Sequence, residues 1–129
     1  MNNRDRWDNK MNDQKIKEKV HESITKLVEE KGYVAPVDVF TEMDILIQKD
    51  YEEWRRGKVK YLERVIKVNL RKISVVMKEI KNDSLKMNLK PSITIYNQWG
   101  KNKGIRLQFS KSGNKKIEDA YSTHYVKRK

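Results

Sequence analysis

Two histidines, His21 and His124, and no cysteine make up the chain's stock of soft metal donors. A structural zinc site draws four ligands from cysteine and histidine, so neither such a site nor a disulfide is expected. Glu118 and Asp119 stand side by side near the C-terminus. A metal-dependent, nuclease-like centre built on them would need a third carboxylate, Glu63 or Asp83, delivered by the fold. The five glycines are scattered without dinucleotide or P-loop spacing, and neither GxSxG nor HExxH occurs. The expectation is a non-catalytic protein with no metal and no cofactor. His21 borders the apolar stripe of the first helix and His124 the inner side of the last, so both read as packing or surface residues.

The remaining chemistry is cationic. In WRRGKVKYLERV, residues 54–65, four of the first seven residues are cations, and Trp54 and Tyr61 bracket them. Arg55, Arg56, Lys58 and Lys60 would ring this corner with Trp54 packed beneath it, and arginine forks suit phosphates. Tyr61 is placed to stack on a base or to cover a neighbour. On a helical wheel Lys60, Arg64, Lys67, Arg71, Ser74, Lys78 and Lys81 fall within about 100° of one another. Only Glu63 intrudes. Like charges three and four residues apart repel, and a bound polyanion would relieve them. Further on, Lys101, Asn102 and Lys103 tip a turn, with Arg106 beside it.

The charge is unevenly placed. Residues 1–57 carry 11 Lys/Arg against 13 Asp/Glu, and residues 58–129 carry 19 against 5. An AT-rich genome would enrich lysine in both halves, so the split argues for a positive surface made by the second half. The net charge of +12 over 129 residues invites nucleic acid first, an anionic membrane second and acidic proteins third.

These residues must be positioned by one domain, residues 14–126, after a leader (1–13) and before a basic tail (127–129). Ile16, Val20, Ile24, Leu27 and Val28 step by threes and fours, which predicts a helix over about 14–31 ended by Gly32. Pro36 opens a helix over about 36–46, with Val37, Phe40 and Met43 inward. A short helix over 50–56 ends at Gly57. The widest apolar arc, from Val59 to Ile80, predicts a central helix over 59–82. After Pro91 the period changes to two. Ile93, Ile95 and Trp99 alternate with Thr94, Tyr96 and Gln98, and Ile105, Leu107 and Phe109 with Arg106, Gln108 and Ser110. This predicts a β-hairpin over about 92–110, greasy on the Ile93, Ile95 and Trp99 side. A last helix over 114–125 carries Ile117, Tyr121 and His124. The fold class is α+β, mostly α, with a central helix, one antiparallel hairpin and a winged-helix-like arrangement open to it.

The stretches YVAPVDVF, DYEEWRRGKVKYLERV and QWGKNKGIRLQFSKSG resemble a family of small basic bacterial and phage-type proteins with no established activity. The likeness runs from about residue 30 to 126. It implies one compact unit and assigns no catalytic or binding residue.

The sequence thus predicts a nucleic-acid-binding protein, duplex DNA favoured over RNA. Arg55, Arg56, Lys58, Lys60, Arg64, Lys67, Arg71 and Lys78 would hold phosphates, and Lys101, Lys103 and Arg106 would extend the footprint. The alternative is an interaction module or inhibitor for an acidic partner or nucleoprotein complex. DVFTEMDILIQKDYEE has six acids and one lysine, so residues 36–54 offer a surface for a protein partner or self-association. No apolar run approaches the roughly 18 residues of a membrane span. The start lacks a signal-peptide core, so a cytoplasmic location away from membranes is expected.

Overall fold

The computed structural model describes residues 12–101 and 104–128. The predicted leader lies outside them except for Asn12 and Asp13, which already form the start of the first helix, and Lys129 of the tail lies outside as well.

Helix α1 spans Asp13–Lys31. The Asn12 side chain accepts from Lys15 N, and Gly32, at φ 78°, closes the other end by donating to Val28 O. Only glycine takes that conformation at no steric cost. A two-residue strand β1, Tyr33–Val34, leads into α2, Pro36–Glu42. This helix stops four residues short of its predicted end. Asp44 turns left-handed (φ 60°), and Ile45 N and Leu46 N both donate back to Phe40 O, which folds Ile45 and Leu46 into the core. Helix α3 spans Gln48–Arg55.

The central helix is shorter than predicted. Residues 58–69 run as an extended path with one 3-10 turn, Leu62–Val65, and α4 begins only at Leu70, spanning Leu70–Lys86. Asn69 caps it through a 2.9 Å bond from Lys72 N. Two forces separate the halves. Val59, Val65, Ile66 and Val68 are β-branched and resist helix, and a continuous helix would stack Lys60, Arg64, Lys67 and Arg71 three and four apart. The extended path still buries Leu62, Ile66 and Val68. Its backbone is held by Leu62 N to Gln108 O, Glu63 N to Phe109 O and Lys67 N to Ile45 O.

Strand β2, Lys90–Ile93, pairs not with residues 105–109 but with β3, Thr123–Val126, whose first three residues the sequence assigned to the last helix. Helix α5 is therefore only Lys115–Ser122, with Asn114 capping Lys116 N and Ile117 N. The sheet has the order β1-β3-β2 and is antiparallel throughout. Pro91 sits on an edge strand, where a missing N–H is tolerated. The predicted hairpin survives only near its tip, through Gln98 N to Ile105 O, Leu107 N to Tyr96 O and one bridge, Asn97 with Arg106. Its faces are also reversed in the first arm. Tyr96 points in, while Ile93, Ile95 and Trp99 are exposed. The ring of Tyr96 completes an aromatic cluster with Trp54 (5.8 Å) and Phe109 (5.3 Å), and Phe109 stacks on Tyr121 at 5.4 Å.

Helices α1 and α4 lie side by side in the same sense. Asp13 meets Arg71 at one end and His21 meets Asp83 further along. The helices and the small sheet share one continuous core. Among the described residues no helix is long and apolar enough to cross a membrane.

His124 is half-buried in β3. It stacks on Tyr33 at 5.3 Å, and its Nε2 meets the Tyr96 hydroxyl at 2.7 Å. Burial lowers its pKa below the usual histidine value, outweighing the pull of Asp38. The unfolded chain therefore binds a proton at higher pH than the folded one. Stability from this site is complete above pH ~6.5 and is lost as pH falls from there through the folded pKa. Thermal unfolding should show wild type losing a few degrees more than His124→Gln between about pH 7.5 and 5. Parallel profiles would remove His124 as the cause.

Candidate nucleic-acid interface

Gly57 ends α3 at φ +81°, and its N–H donates to Trp54 O. A Cβ at this position would stand 2.4 Å from Gln98 Oε1, so the loop carrying Gln98 lies directly on the corner. Trp99 N donates to Arg55 O at 2.7 Å. The Arg55 guanidinium sits 5.0 Å from the ring centres of both Tyr96 and Trp99. Its Nη1 reaches Tyr51 OH at 3.5 Å, and its buried Nε has no hydrogen-bond partner. Arg55 is thus a pin between helix and loop, held by cation–π attraction. The Trp99 ring, edge-on to Tyr51, remains 41% exposed.

The end of α3 and the loop that meets it carry Arg56, Lys58, Lys101 and Arg106, and Lys60 follows on the extended path, all exposed. Arg56 lies 3.9 and 3.6 Å from Glu52 and Glu53, and Lys58 lies 3.8 Å from Glu53. Exposed pairs of this kind contribute little and can be displaced. Lys60, Lys101 and Arg106 make no ion pair among the described residues. Arg64, in the 3-10 turn, is exposed as well. Lys103 lies outside the described residues.

The rest of the expected strip is dispersed. Lys67 pairs with Asp50 at 3.4 Å and Arg71 with Asp13 at 3.2 Å, both carboxylates of the first half. Lys78 is exposed on α4, on the other side of the helix start at Asn69. No single helical face carries the seven residues from Lys60 to Lys81. In the acidic segment Val37, Val39, Phe40, Met43, Ile45, Leu46 and Trp54 are buried, while its six acids stay exposed or half-buried.

The carboxylates named as candidate metal ligands have other work. Glu118 accepts from Phe109 N and Ser110 N at 2.8 and 2.7 Å and also from Ser110 Oγ. Asp119 pairs with Lys115, and Asp83 with His21. Glu63 accepts from Lys111 N and from Tyr121 OH at 2.7 Å. Burial and the Glu63 bond push the Tyr121 hydroxyl well above the usual phenol pKa. Among the described residues no three such side chains form a group able to hold a metal ion.

Sequence reasoning missed Trp99, which it placed on the greasy inner face. Either face of residues 93–99 could have been the inner one by periodicity. The useful signal is that Tyr96 has a hydroxyl to satisfy and a histidine to meet. No family model, curated protein or solved structure matches this chain, so the resemblance rests on its three stretches alone.

Proposed function

We propose that the protein is a non-catalytic nucleic-acid-binding protein that holds a strand across the corner between α3 and the 96–106 loop. The observation that carries this reading is the half-open Trp99 ring, backed by Arg55, with exposed Lys101 and Arg106 on its own loop and exposed Lys60 on the path that leaves α3. An exposed indole offers a stacking surface to any unpaired base, and flanking cations follow the backbone. The geometry favours an unpaired strand over duplex DNA. Bases stacked in a duplex do not reach the ring, and α4 lacks the continuous basic row that would lie along a duplex.

The test is fluorescence anisotropy with a labelled 12-nucleotide single strand and a hairpin duplex. Trp99→Ala should weaken single-strand binding about 10- to 100-fold, the worth of one stacked base. Lys101→Ala and Arg106→Ala should each weaken it a few-fold and flatten the salt dependence by roughly one unit of slope. With about four phosphates engaged by Lys60, Arg64, Lys101 and Arg106, the log–log slope should be near −3. No binding at low salt, or Trp99→Ala equal to wild type, would overturn the proposal. A tighter duplex complex would overturn its preference for unpaired strands.

A further inference from the structure

We propose that the groove between α4 and α5 receives a helix of a partner protein, apolar on one side and acidic on its flanks. A cavity of about 810 Å³ opens there. Its floor is Leu70, Ile73, Met77, Ile117, Ala120 and Tyr121. A second hollow of about 210 Å³ shares Met77 and Ala120 with it and reaches Lys78, Lys81 and Tyr125. Together they follow α4 from Leu70 to Lys81. Eleven steps of helix rise make ~16 Å, room for about three turns of a docked helix. Leu70 on α4 is 62% exposed and Ile117 on α5 is 42% exposed, large apolar side chains left open among the described residues. A helix laid in a groove anchors through side chains at i, i+3, i+4 and i+7, and this floor offers them seats.

The charge of the rim selects the occupant. Lys78, Lys81, Lys111 and Lys116 border the two hollows, and none makes a side-chain ion pair among the described residues. Glu63 is the one acid in the lining, and its oxygens accept from Lys111 N and Tyr121 OH. Acidic flanks on the guest would meet four unpaired lysines. A second copy of this chain, at net +12, brings the wrong sign. Residues 1–11 carry three cations against two acids, which also fits a lysine rim poorly. A nucleic-acid strand finds aliphatic side chains and only the buried rings of Tyr121 and Tyr125, which offer no open face to a base. The groove uses none of the residues around Trp99, and this inference stands apart from the nucleic-acid reading.

The probe is a synthetic 18-residue helix with leucines on one face and glutamates on both flanks, titrated into the full chain by calorimetry and by amide chemical shifts. Shifts should concentrate on residues 70–81 and 110–121. Leu70→Asp and Ile117→Asp change exposed positions, so thermal unfolding should stay near wild type while affinity falls at least ~10-fold, because each buries a charge under the guest. The double variant Lys78→Glu, Lys116→Glu should lose the glutamate peptide and gain a lysine-flanked one. That swap separates a recognised rim from a general pull of positive charge. Several results would overturn the proposal. One is equal binding of a peptide of the same composition with its leucine face scrambled. Another is displacement of the peptide by dodecanoate at lower concentration, which assigns the groove to a small amphiphilic anion. A third is at least tenfold tighter binding once residues 1–11 are removed, which makes the chain's own start the occupant. Concentration-dependent dimers that vanish in Leu70→Asp would assign the groove to a second copy. Trp99→Ala should leave the peptide titration unchanged, so the two readings fail separately.

Discussion

Trp54→Ala is expected to cost about 5 kcal/mol or more, against a total of ~5–15 for a domain of this size, and so to leave little folded protein at 37 °C. Trp54 is fully buried at the end of α3. Its ring lies 5.0 Å from Phe109, 5.8 Å from Tyr96 and 6.0 Å from Tyr51. Its Nε1 donates to Gln108 O at 2.8 Å, tying the helix to the 105–110 segment. Removing the ring opens a large cavity and takes one of two donors from the Gln108 carbonyl, which keeps Leu62 N. Trp54→Phe separates the two losses. It keeps most of the packing and removes the donor, so it should cost about 1–3 kcal/mol. Urea unfolding measures both. If Trp54→Ala lost less than about 2 kcal/mol, below the usual range for a buried aromatic truncated to alanine, the aromatic cluster would not be what holds the corner together. The Trp99 platform would then need another support.

Helices α1 and α3 were legible because local signals and tertiary packing agree there. Asn12 and Gly32 bound an apolar stripe, and Gly57 stops the chain where a side chain would strike Gln98. The central helix was misread because apolar residues at three- and four-residue spacing do not require a helix. An extended path with one 3-10 turn buries Leu62, Ile66 and Val68 equally well. The backbone partners that hold the extended path, Gln108, Phe109 and Ile45, lie far along the chain. The same holds for β3. Nothing near Thr123–Val126 announces that Lys90–Ile93 and Tyr33–Val34 will flank it.

The candidate site was half legible for a related reason. Composition located the positive charge in the second half, and WRRGKVK does meet the turn that carries Lys101 and Arg106, through Arg55, Trp99 and Gln98. What a wheel cannot show is which cations already have partners. Asp50 answers Lys67 and Asp13 answers Arg71 from the first half, so part of the excess is consumed inside the fold. The groove beside α4 was invisible because its lining comes from residues 70–77 and 110–121, which only the fold brings together.

Glu118→Ala should cost about 2–4 kcal/mol, while its neighbour Asp119→Ala should cost less than about 0.5. In the sequence the two acids form one pair, but the fold gives them unlike roles. Asp119 meets Lys115, an exposed lysine one turn away, at 2.8 Å. Glu118 reaches inward from the first turn of α5 and takes both backbone N–H groups of Phe109 and Ser110 together with the Ser110 hydroxyl. Hydrogen bonds to an ionised acceptor are the stronger kind, and donors left without it keep a desolvation cost. Glu118→Gln sharpens the test. An amide presents one oxygen and one NH₂ group to donors that all require an acceptor, so the near-isosteric change should cost nearly as much as alanine. Equal losses for Glu118→Ala and Asp119→Ala in urea titrations would show that the clasp does not hold the segment. The consequence reaches both proposed sites, because residues 106–111 run from the Trp99 corner to the groove wall and Glu118 fixes their middle. Glu118→Ala should therefore weaken strand binding and peptide binding together, where Trp99→Ala and Ile117→Asp each affect one.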